Sequence, residues 1–343
     1  MQPKDAPARR SRRSSGAVTL HDVAKLAGVA PITASRALNH PDQVSEDIRK
    51  RVAEAIARTG YVPNRLAGGL ASTKSRLVAA VVPTISGPVF LETVQSLTEA
   101  LAERGYQLML GQSGYAGSRE DALLEAIIGR RPDGIVLTGI MHSSEGRKRL
   151  SASGIPVVET WDLTPTPIDM LVGFSHLEVG RAVAQFLHGR GRRHFAAVAG
   201  DDERAKRRLA AFRAEAQALN LPDVQVVMVP APTTLQSGRG ALAQLLASHP
   251  DIDAVFCSSD LLALGVLTEA RVQGVEVPQR LAVVGFGDLD FAGDLAPSLT
   301  TVHIKGAAIG RQAAQFIVDR AEGRSVENRV IDIGFSIVER QST

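Results

Sequence analysis

Cysteine is almost absent. One residue, Cys257, in a chain of 343 excludes an internal disulfide and a cysteine-rich zinc site. The eight histidines fall into no HExxH or related zinc spacing. No stretch approaches the ~18 uninterrupted apolar residues that a membrane helix needs. The basic N-terminus MQPKDAPARRSRRSSG has no apolar run behind it, so it does not read as a secretory signal. There is no Walker loop, GFGDLD (285–290) is not GxGxxG, and no GxSxG elbow occurs. The expectation is a cytoplasmic protein with no metal, no cofactor and no catalytic residues. What is present is ordinary for a globular chain: 44% apolar and 22% charged residues, over a length that suits two or three domains. Aromatics are scarce at 4%, with a single tryptophan, Trp161.

The net charge of +3 hides a division. Residues 1–76 hold 14 Lys and Arg against 6 Asp and Glu, a balance of +8, while the remainder holds 25 against 30, a balance of −5. A short basic segment joined to an acidic body suggests nucleic-acid binding, although a solvated basic tail would give the same charges.

Residues 1–17 are rich in Pro, Arg and Ser without apolar periodicity and read as a disordered basic tail. Residues 18–62 read as small helices. Thr19 with Asp22 resembles a capping box, and Val23, Ala24, Leu26 and Ala27 line one face. Gly28-Val29 breaks that segment, Pro31 suits the first position of a second helix, and Ser45 can cap a third with a stripe of Ile48, Val52, Ala55 and Ile56. Residues 63–76 read as a linker of marginal helicity, because Gly68-Gly69 costs about 1 kcal/mol per glycine relative to alanine. From residue 77, eight β-branched runs alternate with amphipathic stretches, beginning with LVAAVV (77–82) and ending with LAVVGF (281–286). Such alternation implies parallel sheets covered on both faces, and eight strands favour two doubly wound α/β subdomains with a cleft between them. Ligands bind beyond the carboxyl ends of such strands.

A helix, a turn at Gly28 and a second short helix make a helix-turn-helix. The motifs DVAKLAGV, TASRALN, VSEDIRKRV and GYVPN resemble the DNA-binding headpiece of the lactose-repressor (LacI-type) family. Downstream, GRGRRHFAAVAG, RLAAF, SSDLLALGVL, LAVVGFGD and PSLTTV are similar to the same family, so the likeness runs from residue 18 to the end. It implies an all-α headpiece on a periplasmic-binding-protein-like core. The core would span 77–343, with one subdomain at about 77–174 and 304–331 and the other at about 175–303 and 332–343. The partners implied are pseudo-palindromic operator DNA, a small effector and a second copy of the chain. The sequence has no C-terminal apolar heptad repeat, which favours a homodimer over a tetramer.

Carried over residue by residue, base reading falls on Pro31, Ile32 and Arg36; Arg36 could donate two hydrogen bonds to a guanine edge, or touch a phosphate instead. Leu20, Thr33, Ser35, Asn39 and Tyr61 join the expected DNA contacts, Tyr61 with core packing as its alternative. Asn64 and Leu70 match the hinge helix, Leu70 as the wedge that kinks the duplex. VVPTISGPVF, GYQLMLGQSGY, PVVETWDL and IDMLVGFSH resemble gluconate-utilisation repressors within the family. A sugar acid needs cations for its carboxylate, for which Arg208, Arg204 and Lys206 are candidates, and acceptors for its hydroxyls, for which Asp260, Asp162 and Asp288 are candidates. Asp260 could equally be a helix cap, His142 could face the ligand from a loop, and Phe174 could pack on its apolar face or in the core. A transport binding protein would share the core but predicts a signal peptide and no headpiece; an α/β sugar enzyme would require a nucleotide loop or a metal site.

Overall fold

A computed structural model describes residues 18–62, 74–114, 117–141 and 143–343. The expected basic tail, His142, Asn64 and Leu70 with most of the linker lie outside the described residues. The chain divides into two compact units, Met1–Ser75 and Arg76–Thr343.

The first unit contains helices α1 (Leu20–Ala27), α2 (Pro31–Asn39) and α3 (Glu46–Thr59). Its core consists of small residues, Val23, Ala24, Ala27, Ala34, Val52 and Ala55, with Ile48 and Ile56 half-buried against it. Small side chains let three short helices approach closely. Leu26, expected on the buried face of α1, is 42% exposed and does not join the core.

In the second unit the chain runs β1 (Leu77–Val82), α4 (Leu91–Glu103), β2 (Gln107–Gln112), α5 (Gly117–Ile128), β3 (Gly134–Thr138), α6 (Ser144–Ser153), β4 (Val157–Thr160) and β5 (Met170–Gly173). It continues through α7 (His176–Gly189), β6 (Phe195–Gly200), α8 (Glu203–Ala218), β7 (Gln225–Val229), α9 (Leu235–Ser248), β8 (Ala254–Cys257) and α10 (Asp260–Val272). It ends with β9 (Ala282–Phe286), β10 (Thr300–His303), α11 (Gly306–Ala321), β11 (Val330–Asp332) and β12 (Ser336–Val338).

The strands form two six-stranded sheets, ordered β11-β5-β4-β3-β1-β2 and β12-β10-β9-β8-β6-β7. All pairs are parallel except β10 with β12. The chain passes between the sheets three times, after β5, after β10 and after β11. Helix α11 follows a strand of the second sheet yet packs on α4, β3, β4 and β5 of the first lobe. Each sheet buries one face in its own cluster, while a third cluster runs through both lobes. The scarce aromatics concentrate in that shared cluster: Phe90, Trp161 and Phe174 follow one another edge to face, and Phe174 lies 6.2 Å from Phe286 of the second sheet.

Candidate functional site

In the first unit, the start and stop of α1 are fixed by side chains. The Asp22 carboxylate accepts from the Thr19 backbone N–H at 2.8 Å and from its hydroxyl at 2.7 Å, which holds the Asp22 carboxyl below its ordinary pKa. Gly28 ends the helix with φ +65°, and a Cβ there would meet Arg51 Nη2 at 2.8 Å. Arg51 donates to the carbonyls of Ala27 (2.5 Å) and Gly28 (3.0 Å), so α3 pins the turn that aims α2.

On α2, Ala34 is buried, which turns Pro31, Ile32 and Arg36 outward. Ile32 is 65% exposed, and Arg36, four residues on and so on the same face, has no side-chain partner among the described residues. Thr33 and Ser35 are half-buried; exposed Asn39 donates to Ser35 Oγ at 3.3 Å. Leu20 and Tyr61 are half-buried against the three-helix core, so the packing alternative for Tyr61 is realised. The exposed face combines an apolar side chain in the first turn of a short helix with a guanidinium in its last turn, a pattern suited to the edges of bases in a groove.

In the second unit, a cleft opens where the strands of both sheets end. Its outer chamber, about 450 Å³, is lined by Ser113 after β2, Thr138 at the end of β3, Asp162 after β4 and Asp202, Arg204 and Lys206 after β6. Its inner chamber, about 80 Å³, is lined by Thr84 after β1, Phe90, Trp161, His176, Arg208, Ser258 and Phe286. Asp202 and Arg204 border both. Two arginines of α8 cross the cleft. Arg204 donates to Thr138 O at 3.2 Å and lies 5.0 Å over the Phe90 ring, and Arg207 pairs with Asp162 at 2.7 Å.

The inner chamber is built around Arg208, which is 4% exposed. Its Cζ sits 3.8 Å over the Phe286 ring, Nη1 contacts His176 Nδ1 at 3.0 Å, and Nη2 donates to Ser258 O at 3.1 Å. Nε is buried without a hydrogen-bond partner. Burial lowers the Arg208 pKa to about 10, which leaves it charged at neutral pH, while burial and then the Arg208 charge hold His176 well below the ordinary histidine value. Trp161, with φ +66°, places its carbonyl 2.9 Å from His176 Nε2 and its indole N–H on Thr93 Oγ1 at 3.0 Å. A non-glycine residue in this region is strained, and the strain sits at the wall of the cavity.

Several expected ligand contacts stand elsewhere. Of the two roles open to Phe174, on the ligand's apolar face or in the core, the core one is realised: it is fully buried behind the wall, and Phe90 and Phe286 supply the aromatic surface. Asp260 is fully buried, lines neither chamber, and uses its carboxylate to accept from Thr301 Oγ1 (2.6 Å) and Leu289 N–H (2.8 Å). The helix cap expected of it is Ser259, whose Oγ accepts from Leu262 N–H. Burial lifts the Asp260 pKa to about 6. Asp288 is taken up by Arg340 (2.8 Å) and His303 (3.0 Å). Lys206 lies on the outer wall but is exposed and bound to Asp201 (2.7 Å) and Glu203. The sequence patterns do not point to His176, Ser258, Phe90 and Phe286, which line the inner chamber, or to Arg207, which reaches the cleft only through Asp162. His176 follows β5, a strand not anticipated; Arg207 neighbours Arg208, and only its ion pair with Asp162 distinguishes it.

Residues 19–64 match the family described as bacterial regulatory proteins, lacI family, and residues 184–343 match a periplasmic binding protein-like domain. The HTH-type transcriptional regulator GntR of Pseudomonas aeruginosa is 37% identical over 336 residues, 97% of this chain and 98% of that protein. Among solved structures, a LacI-family transcriptional regulator from Silicibacter pomeroyi superposes with a TM-score of 0.90 at 31% identity, over 95% of this chain and 99% of its own. The transcription regulator GntR of Chromobacterium violaceum superposes with a TM-score of 0.75 at 36% identity, over 78% of this chain and 98% of its own. These relatives are regulators, not enzymes.

Proposed function

The chain belongs to the lacI family of bacterial regulatory proteins and is a DNA-binding transcriptional regulator; from this premise we propose that it is a repressor, acting as a homodimer on a pseudo-palindromic operator and released by a sugar acid of the gluconate type. The observation that carries the effector class is Arg208: a buried, charged guanidinium at the base of an interlobe cavity with a free Nε and no carboxylate bonded to it. A ligand carboxylate is the natural partner for such a group. The inner chamber admits the acid end, and the carbon chain runs into the outer chamber. There Asp162, Asp202 and Arg204 offer acceptors and a donor to hydroxyls. The aromatic walls Phe90, Trp161 and Phe286 suit the C–H faces of a sugar chain. Likeness of the sequence to gluconate-utilisation repressors favours gluconate, 2-ketogluconate or 6-phosphogluconate.

DNA recognition rests on Pro31, Ile32 and Arg36 at the base edges, with Thr33, Ser35 and Asn39 toward the phosphates. The switch rests on a ligand that touches both lobes and favours one arrangement of the cleft. A coupling of about 1–3 kcal/mol changes DNA affinity by roughly 5–150-fold. Calorimetry of the full chain against gluconate, 2-ketogluconate and 6-phosphogluconate tests the effector: micromolar binding of at least one is expected, and loss of all heats by Arg208→Ala. Binding that survives Arg208→Ala contradicts the carboxylate role.

A further inference from the structure

Arg208 is held by uncharged groups. Nη1 lies 3.0 Å from His176 Nδ1, and Nη2 donates to a main-chain carbonyl, Ser258 O. A guanidinium can only donate, so His176 Nδ1 is the acceptor and carries no proton. The ring proton therefore sits on Nε2 and is donated to Trp161 O at 2.9 Å. The imidazole is 2% exposed and is packed by Phe174 at 4.7 Å and 73°, so its orientation is fixed from both ends.

Buried arginines are ordinarily compensated by a carboxylate. Two carboxylates act on Arg208 through space, Asp202 and Asp162. Both are bonded elsewhere: Asp202 caps α8 by accepting from Arg204 N–H and Ala205 N–H, and Asp162 holds Arg207 and the Leu163 N–H. The side chain hydrogen-bonded to the guanidinium is thus an imidazole where a carboxylate would serve equally well for orientation.

We propose that His176 is a specificity-determining positioning residue: it aims Arg208 into the inner chamber without neutralising it, so that the chamber selects a ligand carboxylate over the matching neutral polyol. This rests on the reading that a sugar acid enters this cleft. A carboxylate at position 176 would pair with Arg208 and remove the charge that the ligand answers. An amide would keep a neutral acceptor of nearly the same shape as that carboxylate.

The test uses the full chain, Trp161 fluorescence, and the pair D-gluconate and D-glucitol. Wild type should bind gluconate at least about thirtyfold more tightly than glucitol, in line with hydrogen bonds to charged groups. His176→Asn should stay within about fivefold of wild type, whereas His176→Asp should lose about thirtyfold for gluconate and little for glucitol. Equal losses in the Asn and Asp variants would mean that His176 only packs, and would overturn the proposal. Nitrogen NMR of histidine-labelled, ligand-free protein gives an independent arm: Nδ1 unprotonated and Nε2 protonated is expected, and a proton on Nδ1 overturns the assignment. A wild type that binds neither compound would remove the sugar-acid reading. Acetate, as the bare carboxylate, then decides the role of His176: the Asp variant must bind it more weakly than wild type, and equal binding overturns the proposal.

Discussion

Single side chains carry both halves of this molecule's chemistry. On α2, Arg36 is exposed beside Ile32 and has no side-chain partner among the described residues. Arg36→Ala should cost specific DNA binding about 1–3 kcal/mol, as expected for one base contact, and leave effector binding intact. Footprinting against a competing bulk DNA checks this, and an unchanged footprint would contradict it. In the cleft, His176 predicts a pH dependence. Its folded pKa lies well below 6.5, mainly through burial, whereas the unfolded chain titrates near 6.5. Between those values the unfolded chain binds the extra proton. Stability from this group is therefore complete above about pH 6.5 and falls as pH drops, by up to about 1.4 kcal/mol per unit. Chemical denaturation at pH 7.5 and 5.5 should show wild type losing more stability than His176→Asn; equal losses would contradict a buried neutral imidazole.

Among the elements, the helices of the headpiece were the most legible. Thr19, Gly28, Pro31, Ser45 and Gly60 mark their ends in the sequence, and each stands at a helix boundary in the structure. Gly28 is the most constrained of them, by a left-handed φ and by Arg51. Gly28→Ala should destabilise the α1–α2 turn by about 1–2 kcal/mol. Hydrogen exchange of α1 and α2 amides should then speed up roughly 5- to 30-fold, with the α/β core unchanged. Unaltered protection would contradict the strain. The eight apolar strands were legible as continuous apolar runs, most of them buried on both faces; β2 and β7 are partly exposed. The other four are shorter or more polar. β10 is half threonine, used to bond Asp260 and to receive the C-terminal segment. β11 and β12 are three-residue edges without a buried residue. β5, fully buried, is four residues long behind the loop TPTPID. Without β5 in view, His176, which starts the next helix, has no place beside the cleft, and Phe174 stays open between ligand and core. Arg208 was legible from its motif, but its hydrogen-bonding partners were not, since they are 32 and 50 residues away in the chain.

For the whole molecule, the proposed function depends on linking the helix proposed to read bases in one unit to the cavity in the other. The linked equilibrium is reciprocal: whatever factor the effector takes from DNA affinity, bound DNA must take from effector affinity. The strands supply the means within the second unit, because three crossings join the lobes, and Arg204 and Arg207 bridge the cleft by bonding Thr138 O and Asp162. The most direct measurement is fluorescence anisotropy of labelled promoter fragments with purified full-length chain, in the presence and absence of gluconate at fixed salt. One fragment should bind far better than bulk genomic DNA, gluconate should weaken it roughly 5–150-fold, and gluconate affinity should fall by the same factor when that fragment is bound. Equal affinity for every fragment, or a preferred fragment that the acid leaves untouched, would contradict the account.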